Sequence, residues 1–139
     1  MKKIFILLLC FTFAGCSIST DFKELATNSI DYTSVYISER GFGNDRFDIY
    51  DFTLTDTDKA DLASFKDKDE DYDKKSYFFK HFLELEKKDI TAYDTVINDV
   101  DNLEKCDDFK YMYITNGYNE KMYIYSLKEN KGYCFILEI

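Results

Sequence analysis

Residues 109–139 read FKYMYITNGYNEKMYIYSLKENKGYCFILEI, and this stretch decides the fold. It holds three runs of tyrosine, phenylalanine, isoleucine and other β-forming residues, separated by Asn116-Gly117 and by Asn130-Lys131-Gly132. Turn-forming residues between short β-forming runs are typical of antiparallel hairpins. The pattern therefore predicts a meander of three strands, over residues 109–115, 121–127 and 133–139.

A second pair of strands is predicted nearer the N-terminus. Residues 30–39 and 46–55 are rich in β-branched and aromatic residues, and the segment 41–45 between them has the composition of a turn. The apolar phase slips near Tyr50 and Asp51, which indicates a β-bulge at that point. We expect this hairpin to belong to the same antiparallel sheet as the meander.

Two helical patterns occupy the middle of the chain. Residues 55–58 have the composition of a helix N-terminus, and a modest apolar face follows at Leu62 and Phe65. A charged connector covers residues 66–75. The second helix is predicted over residues 77–88, and its apolar face holds Phe78, Phe82 and Leu85.

A further helix is indicated just before the meander. Thr91 and Asp94 match the spacing of a capping box, which marks a helix N-terminus. The residues at helical spacing after it form one apolar stripe: Tyr93, Ile97, Val100 and Leu103. Together the elements predict a single α+β domain over residues 21–139, in which two or three helices pack on one face of an antiparallel sheet.

The first sixteen residues have the pattern of a bacterial export signal. Lys2 and Lys3 form a short positive segment. The apolar run over residues 4–13 is shorter than the roughly 20 residues that a bilayer-spanning helix needs. The run ends in Phe13-Ala14-Gly15-Cys16, which resembles the lipobox of bacterial lipoproteins, with Phe13 where an aliphatic residue is usual.

The resemblance implies that Cys16 carries a lipid and becomes the mature N-terminus. Residues 1–15 would then be the signal peptide, and residues 16–20 the lipidated cysteine and a short tether. Ser17 stands where an aspartate would favour retention in the inner membrane. The implied location is the bacterial cell envelope, on the periplasmic side of the outer membrane if the host has two membranes. The alternative is an ordinary secretory signal in which Cys16 is incidental.

The composition describes an acidic chain that can build a core. Of its 139 residues 45% are hydrophobic, which excludes wholesale disorder. Cleavage before Cys16 would remove two of the 18 basic residues and leave 27 acidic ones, a formal charge of −11. This balance argues against binding to nucleic acid or to anionic lipid head groups. The acidic residues are densest in segments 56–73 and 89–108.

The cysteines predict a disulfide. Cys10 would leave with the signal peptide and Cys16 would be lipidated, so Cys106 and Cys134 remain. Two thiols in an oxidising compartment favour one bridge, and both lie where the first and third meander strands begin, at the same end of the sheet. The alternative is two buried, reduced cysteines.

Motifs for catalysis or metal binding are missing. His81 is the only histidine and lies next to Phe82, so a structural role is expected for it. Residues 67–73 place carboxylates at alternate positions as a calcium-binding loop does, but Tyr72 and Phe78 stand where that loop needs glycine and glutamate. We therefore expect a protein that is not an enzyme and has neither a metal site nor a cofactor.

The remaining expectation concerns a partner. The acidic surface around the last predicted helix would bind a basic protein, with Asp94, Asp101, Asp107 and Asp108 as the candidate contacts. In its sharpest form this is an immunity or inhibitor protein that neutralises a basic toxin or lytic enzyme. The alternatives are a structural or assembly accessory of an envelope complex, which uses an exposed tyrosine-rich sheet edge, and a small-molecule or metal-binding module.

Overall fold

The computed structural model of the protein describes residues 20–25, 30–40, 43, 45–56 and 62–139. The predicted signal peptide, Cys16 and most of the tether lie outside these ranges, as do Thr57 and Asp58 of the first predicted helix start. Within the described ranges, no helix has the length and apolar character needed to cross a bilayer.

The described residues form one 3₁₀ helix, six strands and two α-helices. The 3₁₀ helix covers Thr20–Leu25. In chain order the other elements are β1 (Ile30–Ile37), β2 (Arg46–Leu54), β3 (Lys66–Asp67), α1 (Tyr72–Leu85), α2 (Tyr93–Glu104), β4 (Phe109–Asn116), β5 (Asn119–Ser126) and β6 (Lys131–Glu138). The α+β class is therefore confirmed, with two α-helices in the described part of the chain.

All six strands belong to one antiparallel sheet in the order β1-β2-β6-β5-β4-β3. The predicted hairpin is β1–β2 and the predicted meander is β4–β5–β6. The last strand of the meander pairs with the second strand of the hairpin, in a register that runs from Arg46 opposite Glu138 to Phe52 opposite Gly132. β3 adds a short edge strand inside the segment that was expected to be a charged connector.

The central strands of the sheet are buried on both faces. On one face Phe79 of α1 stacks on Phe135 of β6 with ring centroids 4.1 Å apart, and the apolar stripe of α2 joins the same core. On the other face Phe22 of the 3₁₀ helix and Phe65 pack against β2, β5 and β6. α1 and α2 cover one face of the sheet, as expected. The 3₁₀ helix and Phe65 form a second layer over the opposite face, which the sequence did not predict.

This second layer explains two departures from the predicted elements. Residues 62–65 form a turn in place of a helix, because Phe65 reaches the sheet and packs against Tyr123. The phase slip in β2 is not a bulge of that strand. Phe47 and Ile49 face the helices while Tyr50 and Phe52 face the second layer, so both alternating sets are apolar. The bulge lies in the partner strand, between Ser34 and Tyr36.

The helices also differ in detail from the predicted ones. α1 begins at Tyr72, five residues before the expected start. Its buried residues are Tyr72, Ser76, Phe78, Phe79 and Leu83, so Phe78 faces the core as predicted. Leu85, predicted to face the core, is 61% exposed. In α2 the N-terminal capping residue is Ala92, so Thr91 does not form the expected capping box. The predicted stripe of α2 is otherwise present, with Val100 and Leu103 buried.

The predicted disulfide is absent, because the sheet lies between the two cysteines. Strand alternation sends Tyr133 and Phe135 to the helix side and Cys134 to the opposite side, where Cys134 is fully buried. Cys106 packs against the core on the helix side, and its thiol donates to the carbonyl oxygen of Asn102 at 3.3 Å. Both thiols are free. Cys106 precedes β4 at one end of the meander, whereas Cys134 is the fourth residue of β6 and lies on the opposite face.

Alkylation should therefore distinguish the two thiols. In the folded protein a maleimide should label Cys106 and leave Cys134 unlabelled, because burial raises the pKa of the Cys134 thiol and excludes the reagent. Cys134 should react only after unfolding in denaturant. Mass spectrometry of peptides, prepared without reductant, measures both steps. A peptide pair linked through Cys106 and Cys134 would contradict the placement of the two residues.

The centre of the sheet depends on a glycine. A Cβ atom at Gly132 would lie 2.5 Å from the ring of Phe52 and 2.6 Å from the carbonyl oxygen of Ile124. The ring could rotate away, but the carbonyl belongs to the β5–β6 ladder and cannot move independently. Only a residue without a side chain allows the strands to approach this closely here.

Replacing this glycine should destabilise the protein. Gly132→Ala should lower the free energy of unfolding by about 1–3 kcal/mol, the usual cost of overpacking a core. The exposed substitution Thr95→Ala on α2 is the control and should change it by less than about 0.5 kcal/mol. Urea unfolding followed by circular dichroism measures both variants. Equal stability of Gly132→Ala and the wild type would show that β5 and β6 can separate at this point.

Candidate functional site

Many acidic side chains of this protein are engaged by tyrosines. Eight phenol hydroxyls donate hydrogen bonds to carboxylates at 2.5–3.1 Å. The pairs are Tyr36–Glu86, Tyr50–Asp21, Tyr72–Glu104, Tyr93–Glu84, Tyr111–Asp69, Tyr113–Glu120, Tyr123–Glu24 and Tyr133–Asp99. Burial, and then the neighbouring carboxylate, raises the pKa of the Tyr36 phenol, which therefore stays a donor at neutral pH. Only carboxylates without such internal contacts are available to form a functional surface.

A cluster of charges fixes the 3₁₀ helix to the sheet. The guanidinium of Arg46 contacts carboxylates of Asp21 at 2.7 Å, Asp48 at 3.1 Å and Glu138 at 2.9 Å. Asp48 is fully buried and also receives two hydrogen bonds from Arg40. Burial would lower the pKa of Arg46, but its carboxylate partners raise it well above the ordinary value. The two arginines are thus neutralised internally, and the cluster has a structural role.

A groove opens beside this cluster on the helix side. It lies between the end of β1 and the C-terminal end of α1, and its outer part has a volume of about 530 Å³. The outer part is lined by Tyr36, Ile37, Ser38, Glu39, Glu86 and Asp89. An adjoining part of about 310 Å³ has an apolar floor made by Phe47, Phe82 and Leu137. The side-chain carboxylates of Glu39 and Asp89 have no hydrogen bond or ion pair to any described residue, although the backbone amide of Asp89 donates to the carbonyl oxygen of Glu86.

The predicted partner contacts divide into two groups. Asp94 and Asp101 are both exposed on the outer side of α2, seven residues and therefore about 10 Å apart. Asp107 is exposed in the turn after α2, with its carboxylate 3.9 Å from the ammonium of Lys128. Asp108 is engaged internally, since it accepts from the hydroxyl of Ser126 and the amide of Lys128, both at 2.8 Å.

Asp108 therefore joins two turns and is not free to meet a partner. Burial opposes its ionisation, but the hydrogen bonds from Lys128 and Ser126 hold the pKa of Asp108 below its ordinary value of 3.8. Two other carboxylates of the same segment form ion pairs, Asp99 with Lys131 and Glu104 with Lys80. The acidic surface around α2 is thus smaller than the sequence predicts.

Four exposed carboxylates of this region have no side-chain hydrogen bond or ion pair to a described residue, and they are here called the acidic band: Glu39, Asp89, Asp94 and Asp101. Glu39 and Asp89 line the groove, and Asp89 lies four residues before the first residue of α2. Asp94 and Asp101 continue the band along that helix. Sequence reasoning found the α2 part and missed the groove, because Glu39 is fifty residues from Asp89 in the chain. Lys88 and Lys105 are exposed nearby and limit the band at its sides.

The other sequence candidates are dispersed. His81 is exposed and stacks on Tyr77 with ring centroids 5.5 Å apart, so it does not lie on the apolar side of α1 as expected. In the calcium-like segment, Asp67 is paired with Lys110 and Asp69 with Tyr111. Among the described residues, no three side chains of the metal-binding types are grouped closely enough to hold an ion.

The stabilising role of Asp108 can be tested by comparing its alanine variant with that of Asp107. Asp108→Ala should lower the free energy of unfolding at pH 7 by about 1–3 kcal/mol, the cost of two charge-assisted hydrogen bonds, whereas exposed Asp107→Ala should cost less than about 0.5 kcal/mol. Because the pKa of Asp108 is depressed in the folded protein, its contribution is present above pH 4 or so and is lost as pH falls through the folded pKa.

Urea unfolding at pH 7 and at pH 2.5 measures this difference. The gap between wild type and Asp108→Ala should be large at pH 7 and should shrink at pH 2.5, while Asp107→Ala stays near the wild type at both values. A loss of stability equal for the two alanine variants would show that the hydrogen bonds of Asp108 contribute nothing.

Comparison with known proteins identifies no relative of this chain. It matches no protein-family model, no curated protein and no solved structure. No residue role is therefore transferred from another protein, and the acidic band is described from this chain alone.

Proposed function

We propose that this protein is a small lipid-anchored protein of the bacterial envelope that binds a basic protein and does not catalyse a reaction. The observation that supports it is the acidic band, a set of exposed carboxylates that remain unpaired although most of their neighbours are engaged internally. In its sharpest form the partner is a basic toxin or lytic enzyme, and the protein is its immunity protein or inhibitor.

The groove indicates that these exposed charges bind a basic partner and do not serve solubility alone. Glu39 lines both parts of the groove, including the floor that contains the half-buried Phe82, and Asp89 lines the outer part. A lysine or arginine combines an apolar stem with a charged end, so its stem fits the floor and its charge fits the rim. Scattered surface charge would serve solubility without such a floor.

The α2 part of the band would act at longer range. Exposed charges attract a partner over about one Debye length, roughly 8–10 Å at physiological salt. Asp94 and Asp101 lie within about that distance of one another, so an approaching cation feels both. Such fields mainly increase the rate of association and orient the partner, while the groove would hold it.

The lipid anchor would keep the domain close to its membrane. In this proposal Cys16 is lipidated, and the membrane is the outer one in a host that has two. Asp21 is fixed to the sheet by Arg46, and the five residue steps between Cys16 and Asp21 span at most about 18 Å. The alkylation experiment also reports on Cys16, which should remain unlabelled after unfolding if its sulfur carries a thioether.

A second candidate function is a structural or assembly accessory of an envelope complex. The observation that favours it is β1, an edge strand with two tyrosines that pairs with β2 alone within the described ranges. This role requires a partner that pairs with the sheet edge, whereas the first requires one that meets the acidic band. The two candidates therefore predict different contact surfaces.

Reversing the charge of the band tests the first candidate. Proteins recovered with the detergent-solubilised wild type from an envelope extract should be basic, and the double variant Asp94→Lys/Asp101→Lys should associate with them about tenfold more slowly at low salt. The matched control is Glu70→Lys/Asp73→Lys, which makes the same charge change at exposed sites at the start of α1. The control should stay within about twofold of the wild type.

Surface plasmon resonance at 20 mM and 300 mM salt measures the rates. Raising the salt should remove most of the difference between wild type and the α2 variant. Recovery of neutral or acidic partners only, or equal rates for both double variants, would contradict a role for the acidic band and favour the accessory role.

A further inference from the structure

β1 is the edge strand on one side of the sheet. β1 pairs with β2 on one side, and within the residues described here no strand pairs with its other side. An unpaired edge presents a row of amide and carbonyl groups that another strand can use. Such edges are commonly protected by lysine or proline, and Ile30–Ile37 contains neither. The bulge between Ser34 and Tyr36 limits the regular part of the edge to residues 30–34.

The regular part of this edge has an acidic pocket on the helix side. The pocket has a volume of about 390 Å³, and its polar side chains include Asp31, Thr33, Asp51 and Glu129. Lys131 is the only cation among the described lining residues, and it forms an ion pair with Asp99. The hydroxyl of Tyr133 donates to the same carboxylate. The carboxylates of Asp31, Asp51 and Glu129 have no ion pair within the described ranges. A positively charged side chain would complement them.

The opposite side of the same edge is aromatic. Tyr32 stacks on Phe22 with ring centroids 4.5 Å apart and is still 37% exposed. Ile30 packs on the same face of the sheet, against the core under the second layer. An apolar side chain placed here would extend the aromatic stack and cover the exposed part of Tyr32.

We infer that residues 30–34 of β1 form a second binding surface, which takes up an extended segment of another protein with alternating basic and apolar residues. Successive side chains of an added strand point to opposite faces, so one set would enter the acidic pocket and the other would cover Tyr32. Backbone pairing supplies affinity in this mode, and the alternate side chains supply specificity.

A second copy of this chain fits the edge less well. β1 contains Asp31 and no basic residue, so pairing β1 with another β1 would bring acidic residues together. The surface is also separate from the acidic band, since it shares no residue with it. The inference rests on the same edge strand as the second candidate function and does not depend on the first, so either surface can fail alone.

The test uses the purified mature protein in detergent with a defined probe. The probe is an acetylated and amidated octapeptide of alternating lysine and valine, and the comparison peptide has glutamate in place of lysine. Hydrogen–deuterium exchange should show the lysine peptide slowing exchange of β1 amides severalfold at millimolar concentration, with little effect of the glutamate peptide. Asp31→Lys/Asp51→Lys should weaken the lysine peptide about tenfold, as expected for two exposed ion pairs.

Two further variants separate the surfaces. Asp94→Lys/Asp101→Lys should leave peptide binding unchanged, and Asp31→Asn/Asp51→Asn gives a milder loss if the lysine variant fails to fold. Peptide-induced protection confined to α2, or equal protection by both peptides, would overturn the inference. Protection of β1 that depends on protein concentration without peptide would also overturn it and would identify a second copy as the occupant.

Discussion

The pairing of β2 with β6 is the interaction on which the rest of the structure depends. It joins a hairpin that ends at residue 54 to a strand that begins at residue 131, and so makes one sheet from two segments of the chain. It also brings Arg46 beside Glu138, which completes the charge cluster that holds the 3₁₀ helix. Both strands lie in the middle of the sheet, so each is covered on both faces.

Hydrogen bonds from tyrosines explain how so acidic a chain remains folded. A formal charge of −9 would repel itself if all carboxylates were left at the surface. Many are instead bound by tyrosine hydroxyls that project from the sheet or from the helices over it, as in Tyr133–Asp99 and Tyr123–Glu24. A phenol contributes an apolar ring to the core and a donor at its edge. The abundance of tyrosine and the abundance of aspartate and glutamate are therefore linked.

The sequence predicts the strands well because their signals are local. Runs of β-forming residues bounded by Asn116-Gly117 mark β4 and β5 without knowledge of their neighbours. The second layer could not be predicted in the same way, since a strand buried on both faces shows no polar alternation. The early start of α1 at Tyr72 depends on tertiary contacts, because Tyr72 packs against Phe109 and Tyr111 of β4 and its hydroxyl donates to Glu104 of α2. The separation of Cys106 from Cys134 likewise depends on strand phase and not on spacing.

The same reasoning applies to the candidate surfaces. A cluster of acidic residues in the sequence gives the number of carboxylates but not how many are already engaged. Asp94 and Asp108 look alike in the sequence, yet only Asp94 is exposed without an internal contact, because Asp108 meets Ser126 across a turn that is distant in the chain. Glu39 gives no sequence signal of its own, because Asp89, which lines the same groove, is fifty residues further along the chain. The carboxylates that a partner could use are those that the tyrosines and basic residues of the fold leave unpaired, so the fold must be known before the surface can be defined.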